Sequence, residues 1–241
     1  MSTAELPEAS SEQPVAPAVV DVIRAAIVSG EFVANQRLVE ADLSERFAAS
    51  RGSVRQALLQ LSSEGVVERV QNRGARVRAL SLAEAVEIAE VRMVLEELCA
   101  AKAATRLTDD DRAGLEDLGD RMRAAVAGGD LLTYSELNTT LHASIRELSG
   151  QETARTLLER LRWQTVRQQF RLAMHPGRPA VSLPEHLDII GALVRGDPAA
   201  AEQAVRAHLR SVIATLPEIV ARRPSSATAV SGAGMLSSQG W

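Results

Sequence analysis

The chain has 241 residues, 46% hydrophobic by class and only 2% aromatic, with 27 Lys and Arg against 31 Asp and Glu. Enough apolar surface is present to bury a core, and its aliphatic character favours helices over aromatic-rich sandwiches and barrels. The single cysteine, Cys99, excludes an internal disulfide or a cysteine metal cage, and no apolar run suits a signal segment or membrane span, so a soluble cytoplasmic protein is expected.

Residues 1–17 and 222–241 are rich in Pro, Ser and Gly without any hydrophobic period and read as disordered tails. In the first helix, Val19 to Gly30, Val19, Val22, Ile23, Ala26 and Ile27 fall at helical spacing and Gly30 is the stop. Leu38 to Phe47 reads as a short helix burying Leu38, Leu43 and Phe47. A third helix spans about Gly52 to Glu64. Its Val54, Ala57, Leu58 and Leu61 form one apolar face, which turns Ser53, Arg55, Gln56 and Gln60 outward. Past Gly65, residues 66–70 and 75–79 read as two short strands around a turn at Gln71-Asn72-Arg73-Gly74. Three helices and a hairpin make a winged helix-turn-helix over residues 18–80.

From Ser81 onward the pattern is helical, over about 82–106, 109–128, 131–149, 151–173, 183–196 and 198–221. Thr108 caps an acidic first turn, Gly128 and Gly150 stop helices, and Asp197-Pro198 opens the last one. In helix 82–106 the 3-4-3 spacing of Ile88, Val91, Leu95 and Leu98 predicts a buried stripe, with Cys99 beside it as inert core. The expected fold class is mainly α, a winged helix-turn-helix followed over 81–221 by an antiparallel all-helical bundle.

Charge is unevenly distributed. Residues 18–80 carry nine Arg against seven acidic residues, and within 50–79 six Arg face only Glu64 and Glu68. Such a cluster suits phosphate, because displaced counterions supply most of the non-specific affinity for DNA. Arg51 and Arg55 sit at the start and on the outer flank of the third helix, where a helix-turn-helix meets base edges and Arg can pair bidentately with guanine. Arg73 at the hairpin tip, with Arg76 and Arg78 on the following strand, suits phosphate or minor-groove contact.

Among the helical segments, Asn138 and His142 lie four apart on one face, and His186 and His208 lie on the last two helices, which an antiparallel bundle can bring together. Three imidazoles in an aliphatic bundle suit Zn²⁺ or a neighbouring transition metal with a position left open. A hydrolytic metal centre is the enzymatic alternative. It lacks an HExxH string or any carboxylate at fixed spacing from His142, so no enzyme activity is expected.

The strings Ser50-Arg51-Gly52-Ser53-Val54-Arg55-Gln56-Ala57-Leu58, Leu61-Ser62-Ser63-Glu64-Gly65-Val66-Val67 and Asn72-Arg73-Gly74-Ala75-Arg76-Val77 resemble the DNA-binding domain of GntR-family bacterial transcription regulators. The remaining helices resemble the FCD ligand-binding domain of the FadR subfamily. The resemblance implies a cytoplasmic, homodimeric regulator, a repressor on a palindromic DNA operator, with Arg51, Ser53, Arg55, Gln56, Arg73 and Arg76 as its DNA contacts. It also implies a divalent metal, Zn²⁺ foremost, on His142, His186 and His208, with Asn138 where the family has Asp. A small carboxylate effector would complete the site, a second acidic group pairing with Arg92 or Arg146. A regulator in which the ion itself is the effector is the alternative within the same resemblance.

Overall fold

A computed structural model describes residues 18–70, 74–173, 175 and 177–221. Its first unit contains α1 (Val19–Ser29), β1 (Arg37–Leu38), α2 (Glu40–Arg46), α3 (Arg51–Ser63), β2 (Val67–Val70) and β3 (Gly74–Val77). Ile23 and Ile27 of α1, Val54 and Leu61 of α3, and Val67 and Val77 of the sheet close one core in which each is at most 1% exposed. Ser50 starts α3 by accepting a hydrogen bond from the Ser53 amide at 3.0 Å, satisfying one of the donors that a helix start leaves unpaired.

The three strands run antiparallel in the order β1-β3-β2. Leu38, expected on the second helix, belongs instead to β1, pairs with Ala75, and buries its side chain from the sheet. A two-residue strand is too short to display a period of two, so its apolar residue merges with the helical pattern that follows. Gly74 has φ +85°, and a Cβ there would lie 3.0 Å from the Leu38 carbonyl oxygen, so this position needs glycine for both conformation and space. The turn at Gln71, Asn72 and Arg73 lies outside the described residues.

The second unit comprises α4 (Leu82–Ala104), α5 (Asp109–Ala127), α6 (Leu131–Leu148), α7 (Glu152–Ala173), α8 (Arg178–Val194) and α9 (Pro198–Ala221). Two expectations need correction. The buried face of α4 is lined by Ala85, Ala89, Cys99, Ala100 and Ala103, small residues that let α9 lie close alongside. Ile88 shares that face, but Val91 and Leu98 point outward, and with Val94 they form an exposed apolar stripe. Alternation of large apolar residues misidentified the face because alanines carry the contact.

The other correction concerns α8, which begins at Arg178, five residues before the expected start, with Pro179 in its first turn and Pro184 inside it. Proline is common at a helix start, so Pro184 reads as one. The helix continues through the lost amide because Ser182, His186, Ile189, Ile190 and Leu193 all bury on one side.

Candidate functional site

On the winged unit, Arg51, Ser53, Arg55 and Gln56 all lie on the exposed face of α3. Their guanidiniums and hydroxyls are not all free. Arg55 forks onto Glu40 of α2, its Nε 3.2 Å from both carboxylate oxygens and its Nη2 2.9 Å from one. That hydrogen bond holds the Glu40 carboxyl below its ordinary range, with Arg51 and Arg69 adding to the pull. The Ser53 hydroxyl is 2.8 Å from that of Ser50. On β3, Arg76 is exposed and donates to its cross-strand neighbour Glu68 at 2.6 Å. Arg78 differs from expectation: it turns away to pair with Glu84 at the start of α4. Arg69, one of the six Arg of the basic cluster in residues 50–79, is exposed on β2 and lines the same groove as Glu40 and Arg55.

In the helical unit the fold brings Asn138, His142, His186, His208, Arg92 and Arg146 around one cavity of about 80 Å³. The three imidazoles offer ligand atoms within 4.8 Å of one another, and their ring centroids are 4.5, 5.4 and 5.6 Å apart. Each has its Nδ1 engaged from behind. His142 Nδ1 meets Glu96 at 2.9 Å, His208 Nδ1 meets Glu185 at 2.8 Å, and His186 Nδ1 meets the Tyr134 hydroxyl at 2.9 Å. Tyr134 reaches on to Ser182 at 2.7 Å. Partners on Nδ1 fix ring orientation and leave Nε2 for an ion, the arrangement found behind metal-ligating histidines. His186 Nε2 and Asn138 Oδ1 are buried without a hydrogen-bond partner. The residues present therefore fit a divalent ion.

Burial decides the protonation of these groups. It pushes the Tyr134 phenol up to about 12, so the phenol stays protonated and can donate to Ser182 while accepting from His186. Burial also drives His186 well below the ordinary imidazole range, helped by repulsion from His208 and His142, and it lowers His208 despite the Glu185 hydrogen bond. Glu96 experiences the opposite balance: burial pushes its carboxyl up, but Arg92 and His142 outweigh it and keep it ionised.

A pH dependence follows for the metal-free protein. Burial holds folded His186 and His208 below the ordinary imidazole range, whereas unfolded histidines take up protons below about pH 6.5. The unfolded chain then binds more protons, so stability falls as pH drops through about 6.5. Urea unfolding at pH 7.5 and 5.5 with a chelator present checks this, and equal midpoints would contradict it.

Two further guanidiniums, Arg162 of α7 and Arg178 of α8, also line the cavity and escaped the sequence reading. Arg92 is tied to Glu96 at 2.6 Å, and Arg178 to Glu185 at 2.9 Å and Ser211 at 2.6 Å. Among the described residues, neither Arg146 nor Arg162 has a carboxylate in ion-pair range. Burial lowers both, and mutual repulsion with Arg92 adds to it. An anion entering here relieves that repulsion. Glu96 and Glu185, the other residues missed, look like ordinary helix-surface acids in sequence. Their role appears only once the helices are packed.

Comparison with known proteins agrees with this architecture. Residues 16–77 match the family of bacterial regulatory proteins, gntR family, and residues 87–211 match the FCD domain. The chain is 28% identical over 207 residues to the HTH-type transcriptional repressor RspR of Escherichia coli K12, covering 86% of this chain and 91% of that protein. It is 28% identical to the HTH-type transcriptional regulator LutR of Bacillus subtilis 168 over 208 residues, 77% of this chain and 94% of that one. In fold it is similar to E. coli McbR/YncC, with a TM-score of 0.71 at 22% identity over 83% of this chain and 95% of that one. These families and relatives are transcription regulators, not enzymes, and no described helix is long and apolar enough to cross a membrane. With a gntR-type DNA-binding unit followed by an FCD domain over more than half its length, the chain belongs to the GntR family of bacterial transcription regulators.

Proposed function

We propose that the chain is a homodimeric repressor, acting in the cytoplasm, whose affinity for a palindromic operator is altered by a small organic acid held in the imidazole cavity. His142, His186 and His208, with Asn138 as a neutral oxygen donor, would hold a divalent ion, Zn²⁺ by its preference for imidazole nitrogen, which supplies an open Lewis-acidic position for a carboxylate. The observation that carries this reading is the set of three imidazoles oriented from behind while His186 Nε2 and Asn138 Oδ1 are left buried and unpaired. Four guanidiniums line the same cavity, and among the described residues the carboxylates in ion-pair range of them are Glu96 and Glu185, so its charge favours an anion. Arg146 and Arg92 are the effector contacts in this reading, joined by Arg162. In the winged unit the DNA contacts are Arg51, Ser53, Arg55 and Gln56 of α3 with Arg73 and Arg76 of the wing. The stripe of Val91, Val94 and Leu98 on α4 supports a second copy packing there, which would place two winged units on two half-sites.

Operator titration in the presence and absence of Zn²⁺ and citrate tests the reading. A change of about five- to 150-fold in affinity is expected when both are present. A change with Zn²⁺ alone would make the ion the effector, and equal affinity throughout would overturn the proposal.

A further inference from the structure

The cavity and the winged unit meet on one helix. Arg162 of α7 lines the cavity, and the next residue, Trp163, packs against the core of the winged unit. The Arg162 guanidinium lies 5.1 Å from the Trp163 ring centroid, and the Arg24 guanidinium of α1 lies 4.3 Å from it. Arg24 in turn forks Glu64, its Nη2 3.0 Å from each carboxylate oxygen, with both side chains largely buried. Glu64 is the C-cap of α3, where it also accepts from Gln60 Nε2 at 3.0 Å. One residue further along α7, Gln164 lies against Gly65, whose added Cβ would come within 3.0 Å of the Gln164 Cγ. Two consecutive side chains of α7 thus hold the end of the recognition helix, and the side chain before them faces the cavity.

We infer that Arg162 and Trp163 couple cavity occupancy to the seating of α3, an anion drawn onto Arg162 altering the Trp163 stack and, through Arg24 and Glu64, the end of the recognition helix. The inference rests on the cavity taking an organic anion. A guanidinium stacked on an indole is held by a weak, directional attraction that a desolvated carboxylate outcompetes. Arg162 starts without a carboxylate in ion-pair range among the described residues and within the repulsive field of Arg146, Arg92 and Arg24, which Glu159 offsets only in part, so an anion entering the cavity attracts it. The connection from Trp163 to α3 is short and runs through the largely buried Arg24–Glu64 ion pair, which fixes both side chains. It supplies the contiguous physical link that coupling between sites needs. Arg162 is an effector contact in this scheme, and Trp163, which touches neither the effector nor DNA, is the positioning residue that acts through Arg24.

The sequence provides its own reporter. The chain has two tryptophans, Trp163 and Trp241, so Trp241→Phe leaves Trp163 as the single emitting indole. In that background, saturating Zn²⁺ and citrate are expected to shift Trp163 emission and to change operator affinity about five- to 150-fold. Trp163→Leu, which leaves every cavity-lining side chain in place, should still bind Zn²⁺ and citrate by calorimetry as the parent does. Its ratio of operator affinities, with and without saturating Zn²⁺ and citrate, should fall to one. A residue serving stability alone would lower the ligand-free operator affinity and leave that ratio intact. A full ratio in Trp163→Leu with citrate bound overturns the inference. Calorimetric binding of Zn²⁺ and citrate to the unsubstituted protein with no change in emission overturns it too, while leaving the cavity's ligand reading in place. No binding at all removes both.

Discussion

Replacing Arg51 and Arg55 together with alanine is expected to remove specific operator binding. A bidentate Arg–guanine contact contributes about 1–3 kcal/mol of discrimination, so two lost contacts correspond to roughly 30-fold to 10⁴-fold in affinity ratio between operator and scrambled DNA. Arg55 should fall at the lower end of its share, because it exchanges an existing pair with Glu40 for the base contact. The salt dependence separates the two roles open to each Arg. A lost phosphate contact lowers the slope of log K against log salt by about 0.9 and weakens all sequences alike, whereas a lost base contact leaves the slope and reduces discrimination. Arg76→Ala, on the wing and paired to Glu68, belongs to the first kind. Val94→Asp extends the same assay: a charge in the exposed α4 stripe should give a monomer by sedimentation and leave α3 reading one half-site. If the double Arg variant still distinguishes operator from scrambled DNA, α3 is not the reading element.

Much of this arrangement was legible before folding because its signals are local. Val54, Ala57, Leu58 and Leu61 fix which side of α3 is buried, and so which side carries Arg51, Arg55 and Gln56 outward. Asn138 and His142 share a face by spacing alone, and helices that run back and forth bring His186 and His208 to them. What stayed hidden depends on contacts between distant segments. The Glu40–Arg55 fork joins residues 15 apart, and the Arg178–Ser211 bond joins residues 33 apart. Glu96 reads as one of several acids on α4, yet it is buried and holds both Arg92 and His142. The outward turn of Val91 and Leu98 is hidden in the sequence for a related reason: periodicity reports which residues are apolar, and only packing reports which of them a neighbouring helix covers.

Alanine at His186 should abolish metal-dependent stabilisation. An ion at 100 times its dissociation constant stabilises the native state by about 2.7 kcal/mol, or roughly 5–11 °C in melting temperature for a chain of this size. With His186 gone, two imidazoles and a neutral amide remain, and Zn²⁺ should give no shift at the same concentration. Glu96→Gln tests the support behind the ligands. Removing the charge that orients His142 should lower Zn²⁺ affinity about 10–100-fold, the usual consequence of losing an outer partner. Asn138→Asp should move two quantities in opposite directions. The carboxylate adds a negative charge beside the three imidazoles and raises affinity for the ion. The same charge opposes Arg146 and Arg162 in attracting an anion, so citrate should bind the Zn²⁺-loaded variant more weakly than it binds the loaded parent. Calorimetry with Zn²⁺ first and citrate second reads both steps. If Asn138→Asp strengthens both, position 138 acts on the ion alone and the cavity's charge does not govern the acid; if it changes neither, Asn138 is not a ligand.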